Sequence, residues 1–139
     1  RLDTAQAVIL NYRLGSLNSD NKKRIKLAKR YNKKLNDLPL KLPRFEENLT
    51  NVFHLYVVRV RRNIRNKLIN YLKKRKIFVG IHYKVPNFLH PAFKNKIIYQ
   101  NLNNSKKIAD EIISLPIYPE LKIYEQDKII KTIRSFFDE

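Results

Sequence analysis

The stretch Phe78-Val-Gly-Ile-His-Tyr-Lys-Val-Pro-Asn-Phe-Leu-His-Pro-Ala-Phe93 holds the residues best placed to meet a ligand. Gly, Pro, His and aromatic residues fall there at fixed offsets between apolar segments. Gly80 is expected to supply special backbone angles, and Pro86 and Pro91 rigid ones. His82 directly follows the Gly80 turn and a short apolar run. Loops held at strand ends are where binding groups concentrate, so His82 reads as a ligand contact.

The other candidates are weaker. The chain has three histidines. His54 reads as a half-buried strand residue, hydrogen-bonded to backbone. His82 and His90 share the loop but have no carboxylate close by in sequence, so no metal site is expected. No Cys is present, which excludes a thiolate ligand, a Cys nucleophile and a disulfide scaffold. Gly15 and Gly80 are the only glycines, so there is no Gly-rich phosphate loop. No Gly-x-Ser-x-Gly, His-Glu-x-x-His or paired-carboxylate pattern occurs. No lysine sits in an apolar setting that would depress its pKa for Schiff-base chemistry, and Lys84, nearest the loop, reads as solvated. Residue chemistry alone therefore gives a binding or oligomerisation domain without a complete catalytic apparatus.

Composition sets the frame. With 139 residues and 43% hydrophobic content, one modest core is expected. No apolar run approaches the ~20 residues of a membrane span. The opening ten residues carry an acid at the third position and no small-residue cleavage site, so they do not read as a signal peptide. The chain has no Met, and Arg1 heads an amphipathic helix with no capping residue before it. A piece of a longer protein is expected on that ground. The lack of Cys fits a reducing, cytoplasmic setting.

The formal net charge is +18. A basic nucleic-acid-binding domain is one reading, and its binding would weaken steeply with salt. The positive charges, however, are spread along helices rather than gathered into a tail or stripe. Lys, Asn and Ile all have A/T-rich codons, so base composition accounts for the excess, and neither nucleic acid nor membrane is expected as partner. A basic surface still favours an anionic small molecule.

The elements that must position the loop follow from periodicity. Residues 2–17 read as a helix with a face broad enough to be buried on more than one side. Asn18-Ser19-Asp20 is expected to break it and cap the next helix, 21–38, with Ile25, Ala28, Tyr31, Leu35 and Leu38 on one stripe. After a polar connection, residues 52–60 read as a central strand. Asn63 caps a helix to about Arg75, and Ile77 to Ile81 form a second strand. Lys94 to Asn104 read as irregular. Ser105 starts a helix with Ile108, Ala109, Ile112 and Ile113 inward. Residues 115–119 are confined by two prolines to a sheet edge or loop. Residues 124–137 form the last helix. The order implies an α/β or α+β layer, a small sheet covered by helices, with a long N-terminal helical segment. The division expected is a helical segment at 1–38 and a small domain at 39–139.

Four segments, taken in order, resemble the carboxy-terminal part of the DegT/DnrJ/EryC1/StrS family of sugar aminotransferases. They are Arg1-Leu-Asp-Thr-Ala-Gln-Ala-Val-Ile-Leu10, Phe53-His-Leu-Tyr-Val-Val58, Gly80-Ile-His-Tyr83 with Pro86 and Pro91-Ala-Phe93, and Ser114-Leu-Pro-Ile-Tyr-Pro-Glu-Leu121. Together they cover essentially the whole chain.

The resemblance implies the small C-terminal domain of a fold type I aminotransferase dependent on pyridoxal phosphate. A large domain would precede it and carry most of the cofactor site, including the Schiff-base lysine. The parent enzyme would be a homodimer that moves an amino group, usually from glutamate, onto a nucleotide-linked keto sugar, for glycan precursor synthesis. Arg1 matches a family arginine near the neighbouring subunit's active site and is the expected cofactor-side residue. His82 and Tyr83 match a sugar-nucleotide contact segment. An imidazole and a phenol can hydrogen-bond hydroxyl or phosphate oxygens, and the Tyr ring can pack on a sugar or base. No catalytic residue is assigned within the chain. An interaction module that kept the fold without the chemistry is the alternative. Two departures stand out. Phe88 and His90 occupy positions where the family often has His and Gln. Lys122 stands where the last helix usually has a Thr cap, a loss of about 1 kcal/mol.

Overall fold

The computed structural model describes residues 2–46, 48–93 and 102–139. Arg1 and most of the 94–104 segment lie outside that description. Among the described residues, five α-helices cover a two-stranded antiparallel sheet. They run as α1 (Thr4–Leu14), α2 (Leu17–Leu35), α3 (Arg62–Lys74), α4 (Asn103–Glu111) and α5 (Ile123–Asp138). The strands are β1 (Tyr56–Arg59) and β2 (Ile112–Leu115).

Helix α1 starts where the Asp3 carboxylate accepts the Ala5 N–H at 2.8 Å. Its expected burial is corrected: Leu2, Val8, Ile9, Leu10 and Leu14 are all exposed. The apolar face is there, but the described residues offer it no partner. The expected break at Asn18-Ser19-Asp20 is also corrected, because these residues form the first turn of α2. Their side chains bond locally, Ser19 Oγ donating to the Ser16 carbonyl at 2.8 Å, and so do not compete with the helix. Asp20 also suits the positive end of the helix.

The stripe on α2 is as the periodicity predicts. Leu27, Ala28, Tyr31 and Leu35 are buried, with Ile25 and Leu38 packed at the margin. They join Tyr56 and Val58 of β1, Ile113 and Leu115 of β2, Leu68 and Leu72 of α3, and Ile129, Ile130 and Ile133 of α5 in one core. The polar side-chain groups of Tyr31, Tyr56 and Gln126 inside that core are all hydrogen-bonded. Tyr31 Oη donates to the Pro116 carbonyl at 3.0 Å and Tyr56 Oη to Asn32 Oδ1 at 2.5 Å. Burial holds both phenol pKa values well above their ordinary value. Gln126, fully buried, donates from Nε2 to the Leu27 carbonyl at 2.8 Å and ties α5 to α2.

The β1–β2 register pairs Tyr56 with Leu115, Val57 with Ser114, Val58 with Ile113 and Arg59 with Ile112. Single bridges extend the layer on each side, Lys41 to Arg59 beyond β1 and Gly80 to Ser114 beyond β2. β1 is therefore flanked on both sides but is shorter than the apolar run predicts. Phe53 takes a left-handed backbone, φ 50°, with its N–H on Asn51 Oδ1 at 2.9 Å, which turns the chain before the strand can start. His54 is consequently not a half-buried strand residue; it is exposed in the bend that follows.

The remaining corrections are local. Arg61, not Asn63, is the N-cap of α3. Residues 77–81 do not form a strand; their one described backbone bridge to β2 is at Gly80. Ile112 and Ile113 belong to β2 rather than to the helix before it, and α4 starts at Asn103 rather than Ser105. The C-terminus of α3 closes on Lys76, φ 59°, with Lys76 N–H on the Lys73 carbonyl and Ile77 N–H on the Leu72 carbonyl, both at 3.0 Å. That pair of bonds is the Schellman arrangement, with Lys at the position Gly usually holds. At the start of α5, Glu125 accepts the Lys122 N–H at 2.8 Å. The Lys122 ammonium cannot accept in return, so half of the capping box replaces the missing Thr.

Candidate functional site

The two faces of the sheet do different work. Side chains alternate along a strand, so Tyr56, Val58, Ile113 and Leu115 point into the core while Val57, Arg59, Ile112 and Ser114 point to the other face. Val57 and Arg59 are only half-buried while Ile112 and Ser114 are buried, so that second face is thinly covered along β1 but not along β2. Arg59 is held there by Glu111, with Nη2 to Oε2 at 2.7 Å.

The chain leaves α3, bridges to Ser114 through both backbone groups of Gly80 (2.8 and 3.1 Å), and turns at His82 and Tyr83. His82 Nδ1 lies 2.8 Å from Ser114 Oγ. The His82 and Tyr83 rings stand edge to face at 5.8 Å and 85°. Tyr83 is 77% exposed, and its phenol is open to whatever approaches this corner. Both predicted contact residues are thus brought together, on the outer rim of the layer.

The expected role of Gly80 is corrected. No glycine in the described chain has positive φ. What Gly80 provides is room: a Cβ there would lie 3.1 Å from His82 Nδ1, and nearer still to Cε1. The rigid loop that follows is present, as two short 3-10 turns at Asn87–Leu89 and Pro91–Phe93, each opening at or just after a proline. His90 lies in that loop with its ring 6.4 Å from Phe93 and is not brought to His82 or Ser114 by any described contact. Lys84 is exposed.

Ser114 was not singled out by residue chemistry, although a signal existed. It is the one polar residue in a strand otherwise made of Ile112, Ile113 and Leu115, and a buried hydroxyl needs a partner. Among the described residues no group of three or more His, Cys, Asp or Glu side chains converges as metal ligands would. No helix among them is long and apolar enough to cross a membrane.

A small sheet under helices is the architecture of one part of fold type I aminotransferases. The structure of Streptomyces venezuelae DesV, solved with a ketimine intermediate, matches all of this chain and 38% of that one, with TM-score 0.92 and 34% identity. An aminotransferase from Brucella abortus matches with TM-score 0.91 and 32% identity, again over all of this chain and 37% of that one. The family model for DegT/DnrJ/EryC1/StrS aminotransferases matches residues 1–134, and the chain belongs to that family. Among characterised relatives, the dTDP-3-amino-3,4,6-trideoxy-alpha-D-glucose transaminase of Streptomyces venezuelae is 35% identical over 98% of this chain and 36% of its own length. The dTDP-3-amino-3,6-dideoxy-alpha-D-galactopyranose transaminase of Aneurinibacillus thermoaerophilus is 30% identical over 98% of this chain and 37% of its own. The chain thus spans little more than a third of the relatives it matches.

Every described lysine is exposed. Arg1, the residue expected on the cofactor side, lies outside the described residues.

Proposed function

We propose that this chain is the C-terminal part of a pyridoxal-phosphate-dependent aminotransferase that transfers an amino group, with glutamate as donor, to a keto sugar carried on a nucleotide. The observation that supports it most is the match to DesV over the whole chain at 34% identity, in a family whose relatives here include dTDP-sugar transaminases. The cofactor, whose role is to act as an electron sink, would be held mainly by polypeptide outside this chain. Arg1 would approach it from the neighbouring subunit of a homodimer.

The part this chain plays is binding. His82 and Tyr83 would contact the sugar nucleotide, the imidazole and the phenol hydroxyl hydrogen-bonding hydroxyl or phosphate oxygens and the phenol ring also packing on a sugar or base. The reading is supported by their pairing on an exposed rim and by the fixed position of the His82 ring. The excess of positive charge favours an anionic substrate of this kind. Residues 1–38 would link to the large domain, with the exposed apolar face of α1 lying against it. A cytoplasmic location belongs to the same reading.

The test is an amino-transfer assay of the intact protein against a panel of nucleotide-linked keto sugars, with glutamate as donor. Turnover of at least one such sugar is expected. Failure with all of them, in a protein that binds pyridoxal phosphate, would overturn the assignment of substrate class.

A further inference from the structure

We propose that Ser114 is a positioning residue for His82: its hydroxyl donates to Nδ1 and holds the imidazole in the tautomer whose Nε2–H is the donor offered to the ligand. The proposal deepens the reading of His82 as a sugar-nucleotide contact and rests on it for its functional half.

Ser114 is 5% exposed. Its backbone N–H and C=O are both committed to Gly80, at 2.8 and 3.1 Å. The hydroxyl is therefore the group that needs a partner, and among the described residues His82 Nδ1 at 2.8 Å is the one it has. Two tautomers fit that distance. If Nδ1 carried the proton, it would donate to Oγ, and the Ser hydroxyl proton would be left buried without an acceptor. Leaving a buried donor unmade is the costlier outcome. If Oγ donates instead, the Ser proton is satisfied and Nδ1 uses its lone pair. A neutral imidazole then carries its one proton on Nε2.

Nε2 has no protein partner among the described residues, and His82 itself is exposed. The donor is thus free for an electron-rich oxygen, which both the hydroxyls and the phosphates of a nucleotide-linked sugar supply. Gly80 completes the cradle, since any side chain there would displace the ring.

Nitrogen-15 spectroscopy of the His82 ring in this chain, at alkaline pH where imidazoles are neutral, reads the tautomer directly. The Nε2-protonated form is expected in the native chain, a mixture of both in Ser114→Ala, and recovery in Ser114→Thr. In the intact enzyme, Ser114→Ala should raise KM for the sugar nucleotide roughly fivefold, the scale of one neutral hydrogen bond. It should leave kcat and the KM for glutamate nearly unchanged, and add nothing in a His82→Ala background. A native ring protonated on Nδ1, or ring signals indifferent to Ser114→Ala, would overturn the positioning role. A tautomer that responds as expected while neither Ser114→Ala nor His82→Ala changes KM would leave positioning standing and overturn the substrate reading.

Discussion

The His82 imidazole occupies the space in which a side chain at residue 80 would have to sit, within 3.1 Å at Nδ1 and 3.3 Å at Nε2. Gly80 is thus a matter of volume and not of backbone angle. Gly80→Ala should push the ring off Ser114 and cost about 1 kcal/mol of stability, the net value of the bond lost. The checks are a urea melt and the His82 ring signals. A variant with native stability and unmoved ring signals would show the cradle to be looser than described.

Lys76 ends α3 in the left-handed region, where a side chain costs roughly 1–2 kcal/mol relative to glycine. Part of that gain is returned through the greater freedom of glycine in the unfolded chain. Lys76→Gly should therefore stabilise the chain by about 0.5–1 kcal/mol. A rise in the urea midpoint with unchanged slope is the expected result, and a fall would mean that the Lys76 side chain contributes more than its backbone costs.

Tyr31 and Tyr56 keep their protons in the folded state far above 10.0, the ordinary value at which the unfolded chain releases them. A raised folded pKa stabilises below the unfolded pKa and loses that contribution as pH rises through and beyond it. Unfolding free energy should accordingly fall above pH 10.0, by about 1.4 kcal/mol per pH unit for each phenol. Tyr31→Phe should reduce that slope, at the expense of the bond to the Pro116 carbonyl. An unchanged slope in the variant would remove Tyr31 from the titration.

Helix α1 carries an apolar face that the rest of the described chain leaves open, with Ile9 and Leu14 about 60% exposed. The chain by itself should self-associate through that face. Ile9→Glu combined with Leu14→Lys should abolish association in sedimentation experiments. It should leave the urea midpoint where it was, because neither residue packs on the core. A drop in the midpoint would mean that α1 contributes to the fold.

Much of this architecture was legible from residue spacing. Helices α2, α3 and α5 are long and amphipathic, so periodicity alone locates the buried stripe from Ala28 to Leu35 and the Ile129, Ile130, Ile133 face. The strands were harder. Residues 52–60 are apolar enough for a longer strand, and only the left-handed turn at Phe53, fixed through Asn51, stops it short. Ile112 and Ile113 continue the helical spacing of α4 and nonetheless pair with β1, because burial on both faces suits either element. At the site, His82 was visible as a polar residue in a special loop. Ser114 was hidden, since its bond to His82 crosses 32 residues of chain.

The most direct test of the account is steady-state kinetics of the intact enzyme carrying His82→Ala or Tyr83→Phe. The account predicts a KM for the sugar nucleotide raised roughly fivefold or more in each variant, with the KM for glutamate nearly unchanged. Kinetics identical to the parent enzyme in both variants would contradict it and take the His82–Tyr83 corner out of the binding site.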